Sequence, residues 1–257
     1  MNSRLSQQEQ LRYAPQMLLP ELGESGQLRL KQAQVLIVGM GGLGCPAAMY
    51  LAAAGIGRLV MADFDTIERS NLHRQILYQN QQIGSNKAQQ AAINLKAMAP
   101  DVRYQAVTEK ITEENIMSLI KDVDLVLDCT DNLTTRLLIN QACVRLQRPL
   151  ISGAASGFQG QLLMLPMTFN SPCYQCIYHS TPEDQSSCLQ DGVVGPLVGV
   201  IGSMQALQGI KYLIQISQEA KLHLFDAIHM QWQSLAIEID PNCAICATKD
   251  LRNNHVY

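Results

Sequence analysis

Short, continuous apolar runs that end in glycine or a carboxylate punctuate the first half of this chain, and each is followed by a stretch of helical character. The run AQVLIVG at 33–39 reads as a buried parallel strand, the Ala-rich stretch 42–54 as a helix and RLVMAD at 58–63 as the next strand. The alternation continues with a helix at 85–98, a strand at 102–107, a helix near 112–120, a strand at 124–129, a helix at 132–146 and PLISGAA at 149–155. Ahead of it, residues 4–32 space their leucines among polar residues and read as helical, broken at Gly23 and Gly26. This order predicts an α/β fold with a doubly wound, mostly parallel sheet.

After residue 155 the pattern changes. GQLLML, KLHLFDAI and QWQSLAIEI are strand-like runs with tighter links, which predicts an antiparallel extension at the C-terminal side of the sheet. Between them lie a loop-like stretch at 166–192, rich in Pro, Ser and Cys, and a long helix at about 197–215. No repeat, low-complexity tract or linker divides the chain. It reads as one domain over 1–257, with a nucleotide-binding half to about 155, a second half over about 156–246 and a tail at 247–257.

Composition narrows the class. Of 257 residues, 47% are hydrophobic, enough for a sizeable core, and the net charge of -3 argues against whole-surface affinity for nucleic acid or an anionic membrane. No apolar run approaches the roughly 18 residues of a membrane span. The opening MNSRLSQQEQLRY lacks the apolar centre of a secretion signal, so a cytoplasmic location is expected. In that compartment the eight cysteines should be thiols or metal ligands.

Gly39-Met40-Gly41-Gly42-Leu43-Gly44 sets a G-x-G-x-x-G pattern between a strand and a helix, where glycines let a phosphate or ribose approach the backbone. Asp63 ends the next strand and can accept ribose hydroxyls. These two features alone leave open an NAD(P)- or FAD-dependent oxidoreductase. Ser70-Asn71-Leu72-His73-Arg74-Gln75, Lys87 at a helix start and Asp128-Cys129-Thr130-Asp131-Asn132 at a strand end add what a triphosphate calls for. Arg74 and Lys87 can neutralise phosphate charge, and Asp131 can hold a hydrated Mg²⁺.

Two C-x-x-C pairs, Cys173/Cys176 and Cys243/Cys246, offer four thiolates to one tetrahedral Zn²⁺. Neither pair has the strand-to-helix setting of a redox dithiol. Cys188 falls in a polar stretch just before the long helix, whereas Cys45, Cys129 and Cys143 sit in or beside apolar segments and read as core.

GMGGLG, the DFD at 63–65, SNLHRQ, Lys87 and DCTDN together resemble the ThiF/MoeB/HesA family of ubiquitin-activating-enzyme-like adenylyltransferases, over about residues 10–246. The resemblance implies a Rossmann-like fold and ATP binding by Gly39, Gly41, Gly42, Gly44, Asp63, Asn71, Arg74, Gln75, Lys87 and Asn132, with Asp131 as magnesium ligand. It implies attack of a ubiquitin-like protein's C-terminal glycine carboxylate on the α-phosphate, with pyrophosphate leaving. It further implies a homodimer, a structural zinc site remote from ATP and a partner-binding role for the second half of the chain. Arg74, Lys87 and Asp131 would serve that reaction, and Cys188 matches the cysteine that can link covalently to the activated partner during sulfur transfer. One departure stands out: where the family usually carries R-Y-x-R-Q, this chain has Arg12-Tyr13-Ala14-Pro15-Gln16.

Ser156–Gln161, Val193–Pro196 and Gln231–Leu235 look more like the ThiF branch. That branch implies the sulfur carrier ThiS as partner, a sulfurtransferase or cysteine desulfurase as sulfur donor, and thiamine thiazole synthesis as destination. MoaD in molybdopterin synthesis is the alternative partner, and a non-catalytic partner-binding role is the alternative raised by Pro15.

Overall fold

The computed structural model describes residues 4–168, 170–178 and 192–247. Eight strands form one sheet in the order β3-β2-β1-β4-β5-β6-β7-β8. They are β1 (Gln34–Val38), β2 (Arg58–Ala62), β3 (Arg103–Val107), β4 (Leu125–Asp128), β5 (Leu150–Ser156), β6 (Gln159–Leu165), β7 (Lys221–Asp226) and β8 (Gln231–Ala236). Pairing is parallel from β3 across to β5 and antiparallel from β5 to β8. The predicted parallel sheet with an antiparallel extension is therefore what forms.

The apolar runs of β1, β2 and β4 are continuous because helices cover both faces. Val35, Ile37, Leu59, Met61, Leu125 and Leu127 pack on one side with α3 (Gly44–Ala53), α4 (Lys87–Met98) and α7 (Gly195–Leu213). Leu36, Val38, Val60, Ala62 and Val126 face the other way, onto α5 (Glu113–Ile120) and α6 (Leu133–Leu146). Successive side chains thus serve opposite cores, as the two-residue strand period demands.

The N-terminal segment departs from the expected breaks. Helix α1 spans Gln7–Met17, the chain turns over 18–22, and α2 spans Gly23–Gln32. Gly23 starts this helix at φ +55°, and Gly26 lies within it, where a Cβ would meet Leu22 Cγ at 3.2 Å. Gly26 is a close-packing position, not a breaker. Helix α7 begins two residues earlier than its hydrophobic pattern suggests, with Pro196 in the first turn, where a missing N–H costs nothing.

The order of strands reverses at β1: β2 and β3 lie to one side, β4 and β5 to the other. Ligands of such sheets bind beyond the carboxyl ends of the strands at this reversal. Among the described residues, no helix is long and apolar enough to cross a membrane.

Candidate nucleotide site and cysteine cluster

A cavity of about 1060 Å³ opens over the carboxyl ends of the parallel strands. The turn between β1 and α3 forms its floor. At Gly39, φ is +91° and a Cβ would lie 2.7 Å from the Cys129 carbonyl oxygen; at Gly44 it would lie 1.9 Å from the Gly39 oxygen. Both glycines are required for the turn itself. Gly42 meets Val198 of α7 at 2.8 Å, whereas a Cβ on Gly41 would find only Gln75 Nε2, at 3.6 Å, and otherwise enter the cavity. Helices α4 and α6 receive side-chain caps from Asn86 and Asn132, but α3 receives none. Its N-terminal dipole is left to whatever occupies the cavity.

Asp63 follows β2 and lines the same space. Its Oδ2 accepts from the Met40 amide at 2.7 Å and its Oδ1 from the Asp65 amide at 2.9 Å. Burial pushes its carboxyl up, against the lowering pull of Lys87 and these two amides. Lys87 is the first residue of α4, and its Nζ lies 3.0 Å from Asp65 Oδ2. Asn86 ties this corner together, donating to the Asp63 and Asp65 carbonyls at 3.0 and 3.2 Å. The Tyr78 hydroxyl donates to the carbonyl of Met40 (2.9 Å) or of Lys87 (3.1 Å), bracing the glycine turn against α4.

Arg74 lines the cavity and, among the described residues, its side chain spends one 3.3 Å hydrogen bond, from Nη1 to the Ser70 carbonyl. Asn71 lines it as well, donating to Ser70 Oγ at 3.3 Å. Gln75 is 3% exposed, yet its Oε1 has no partner among the described residues. A buried orphan acceptor beside the Gly41 opening suits a ligand that donates to it.

The end of β4 separates two aspartates by role. Asp128 is 1% exposed and accepts from the Thr130 amide (3.0 Å), the Thr130 hydroxyl (2.6 Å) and Ser152 Oγ (2.6 Å), with Arg136 at 4.0 Å. Asp131 is exposed, lines the cavity and has no side-chain partner among the described residues. Asn132 also lines it, but its Oδ1 caps α6 by accepting from the Thr135 amide at 2.9 Å. The glycine turn, Asp63, Asn71, Arg74, Gln75, Lys87, Asp131 and Asn132 are thus brought to one space. Pro15 is elsewhere, exposed within α1, and neighbouring Arg12 donates to the Met98 carbonyl at 2.9 Å.

The four cysteine sulfurs lie within 4.8 Å of one another, Cys173–Cys243 at 3.7 Å and Cys176–Cys246 at 3.3 Å. A tetrahedral ion with Zn–S bonds of about 2.3 Å needs sulfurs about 3.8 Å apart, so the donor set fits zinc in type, number and spacing. None of the four cysteines is among the described residues that line the cavity, but the turn that carries two of them reaches its wall at the end away from Asp63. The turn Tyr174–Cys176 and the residues after it place Tyr174, Ile177 and Tyr178 on the cavity wall. Burial pushes the Cys45 thiol up to about 12 and raises those of Cys129 and Cys143 too, in keeping with core residues. Cys188 lies outside the described residues.

Arg136, Tyr174, Tyr178, Phe64 and Lys110 also line the cavity and were given no site role from the sequence. Phe64 and Lys110 each follow a strand end, which is the signal that could have found them. Arg136 had a weaker one, its place one turn into the helix after Asp131.

Arg74, Lys87 with its solvated partner Asp65, the exposed Asp131 and open backbone at a glycine turn equip this cavity for phosphate chemistry rather than hydride transfer, and the comparisons agree with an adenylyltransferase. The chain belongs to the ThiF family, whose sequence profile matches residues 13–245. It is 45% identical over 237 residues to the sulfur carrier protein ThiS adenylyltransferase of Escherichia coli K12, covering 92% of this chain and 94% of that protein. It is 44% identical over 255 residues to the adenylyltransferase and sulfurtransferase MOCS3 of Drosophila ananassae, of which it spans 56%. Among solved structures, E. coli MccB with ATP superimposes with a TM-score of 0.81 at 23% identity, over 92% of this chain and 75% of that one. That likeness is one of fold. The oxidoreductase alternative falls with the family.

Proposed function

We propose that this chain uses Mg-ATP to adenylate the C-terminal glycine of the ubiquitin-like sulfur carrier ThiS, and then supports transfer of sulfur to that carboxyl group for thiazole synthesis. The observation that carries the reading is the convergence of Arg74, Lys87 and an Asp131 with no side-chain partner among the described residues on a cavity floored by Gly41. Asp63 would take the ribose, the α3 N-terminus, Asn71, Arg74, Gln75 and Lys87 the phosphates, and Asp131 the magnesium ion. Magnesium there would screen the triphosphate and favour departure of pyrophosphate.

The reaction asks little of a general base. A carboxylate is already anionic at neutral pH, so attack on the α-phosphorus needs alignment and relief of charge repulsion. One carboxylate oxygen bonds to phosphorus, the bond to the bridging oxygen breaks, and pyrophosphate leaves with its electrons. The opposite end of the cavity, lined by Ala154, Ala155, Gln161 and Tyr178 with Arg136 beside them, lies across β1 and β4 from Asp63 and offers a slot for the carrier's tail. Zinc at Cys173, Cys176, Cys243 and Cys246 would close the knuckle that forms part of this wall.

ThiS is favoured because identity extends over nearly the full length of a ThiS adenylyltransferase. MoaD as partner keeps the same chemistry. Supply of sulfur by a sulfurtransferase or cysteine desulfurase, a role for Cys188 in that step, a homodimer and a cytoplasmic setting complete the reading. The free, buried Cys45, Cys129 and Cys143 accord with a reducing compartment. The single sheet formed by all eight strands accords with one domain.

The test is exchange of labelled pyrophosphate into ATP, with ThiS and with MoaD. Label entering ATP with ThiS and not with MoaD is the expected result. Exchange with MoaD alone reassigns the partner, and binding of either carrier without exchange makes the chain a non-catalytic member, as Pro15 would then explain.

A further inference from the structure

Asn132, Arg136 and Asn140 recur every four residues along α6 and so share one face of the helix. That face runs from the loop of Asp131 to the cysteine cluster, and Arg136 and Asn140 make long-range contacts along it. Arg136 donates to Ser152 Oγ at 3.3 Å, to the Gly153 carbonyl at 2.9 Å and to the Thr130 carbonyl, next to Asp131. Asn140 has no exposed surface and uses both ends of its amide. Its Nδ2 donates to Cys173 Sγ at 3.6 Å, and its Oδ1 accepts from the Tyr174 amide at 2.9 Å.

Tyr174 closes the circuit. Its phenol interacts with the Arg136 guanidinium, and its ring packs on Tyr178 with centroids 4.6 Å apart. The Tyr178 hydroxyl in turn donates to Gln161 Oε1 at 2.6 Å. Both rings line the cavity at its β5–β6 end, across the sheet from Asp63.

We propose that Asn140 and Arg136 are positioning residues that couple the cysteine cluster to Tyr174, so that metal in the cluster sets the affinity of the cavity for the carrier's C-terminal tail. The proposal rests on the adenylation reading above. Its physical basis is that metal bonds fix Cys173 far more tightly than packing does, and Asn140 passes that placement to the backbone of Tyr174 through a buried amide bonded at both its nitrogen and its oxygen. The ribose corner of the cavity, held by Asp63, Asn86 and Tyr78, lies outside this circuit, which meets the nucleotide site only where Arg136 bonds the Thr130 carbonyl. A cluster that only stabilises the fold would have no reason to favour one end of the cavity over the other.

The test uses the full-length, zinc-loaded protein with Asn140→Ala, and Tyr174→Phe as a second variant that leaves the backbone bond in place. Zinc per chain, pyrophosphate-exchange kinetics against ATP and against the carrier, and amide hydrogen exchange of the wild type before and after chelation are measured together. Asn140→Ala is expected to raise KM for the carrier about tenfold, the low end of what changes to a metal ligand's outer partners cost in activity, while zinc content at saturating metal, KM for ATP and kcat hold. Tyr174→Phe should move the same constant in the same direction, and chelation should remove protection at the Tyr174 amide but not in β1. A carrier KM that stays put in both variants, or that moves only in step with kcat and the ATP KM, overturns the proposal. So does Tyr174 protection indifferent to zinc. Absence of exchange in the wild type would instead remove the adenylation reading, a result separate from these.

Discussion

Lys87 and Asp65 form an ion pair of unequal burial: the ammonium side chain is 8% exposed, and the carboxylate that holds it at 3.0 Å is 52% exposed. A buried cation facing the cavity with a solvated partner is poised to exchange that partner for phosphate. Such half-exposed pairs add little to stability. Lys87→Ala is therefore expected to leave the melting temperature nearly unchanged while weakening ATP binding by about 2 kcal/mol, roughly 30-fold, by calorimetric titration. An unchanged Kd would remove Lys87 from the phosphate site.

Asp128 and Asp131 should separate in the opposite sense. Asp131 is exposed and its side chain makes no hydrogen bond or ion pair among the described residues, so Asp131→Ala should abolish magnesium-dependent exchange with the fold intact. Asp128 anchors Thr130, Ser152 and Arg136 inside the protein, and Asp128→Ala should cost about 3 kcal/mol in denaturant unfolding. Wild-type exchange in the Asp131 variant would cancel its metal role.

Cys173 is the cluster ligand tied most closely to the core, through Asn140. Cys173→Ala should lose zinc by elemental analysis and lower the thermal midpoint, because an ion that binds only the folded chain stabilises it by mass action. Retention of one zinc per chain in that variant would count against the four-sulfur site.

Cys188→Ser should split the two halves of the reaction. Pyrophosphate exchange should persist, since adenylation requires no thiol, while formation of the carrier thiocarboxylate, read by mass spectrometry, should fall. Undiminished thiocarboxylate would return Cys188 to an incidental thiol.

Periodicity made the sheet legible, because buried parallel strands must be apolar on both faces and β1, β2 and β4 are. The glycine turn was legible for a related reason: Gly39 and Gly44 have no room for a side chain. Less visible was the start of α2, where a glycine that resembles a breaker is a packing contact with Leu22 and Ile214. Also hidden was the attachment of the cysteine cluster to the cavity wall. Spacing of C-x-x-C pairs fixes which sulfurs can meet but carries no information on where the turn between them is docked. That depends on Asn140, a polar residue in the interior of α6 whose partners are distant in sequence. Arg136 was obscured likewise, since a lone arginine in a helix reads as solvated until its acceptors on β5 and beyond β4 are seen.

The central claim is that a carrier carboxylate attacks the α-phosphorus of ATP in this cavity. It is tested most directly by labelling both C-terminal carboxylate oxygens of ThiS with oxygen-18, incubating with Mg-ATP and this protein, and trapping the product with hydroxylamine. Hydroxylamine attacks the carbonyl carbon, so the AMP released should carry one labelled oxygen, detected by mass spectrometry. AMP free of label would mean that water, not the carrier, had met the phosphorus, and would contradict the account.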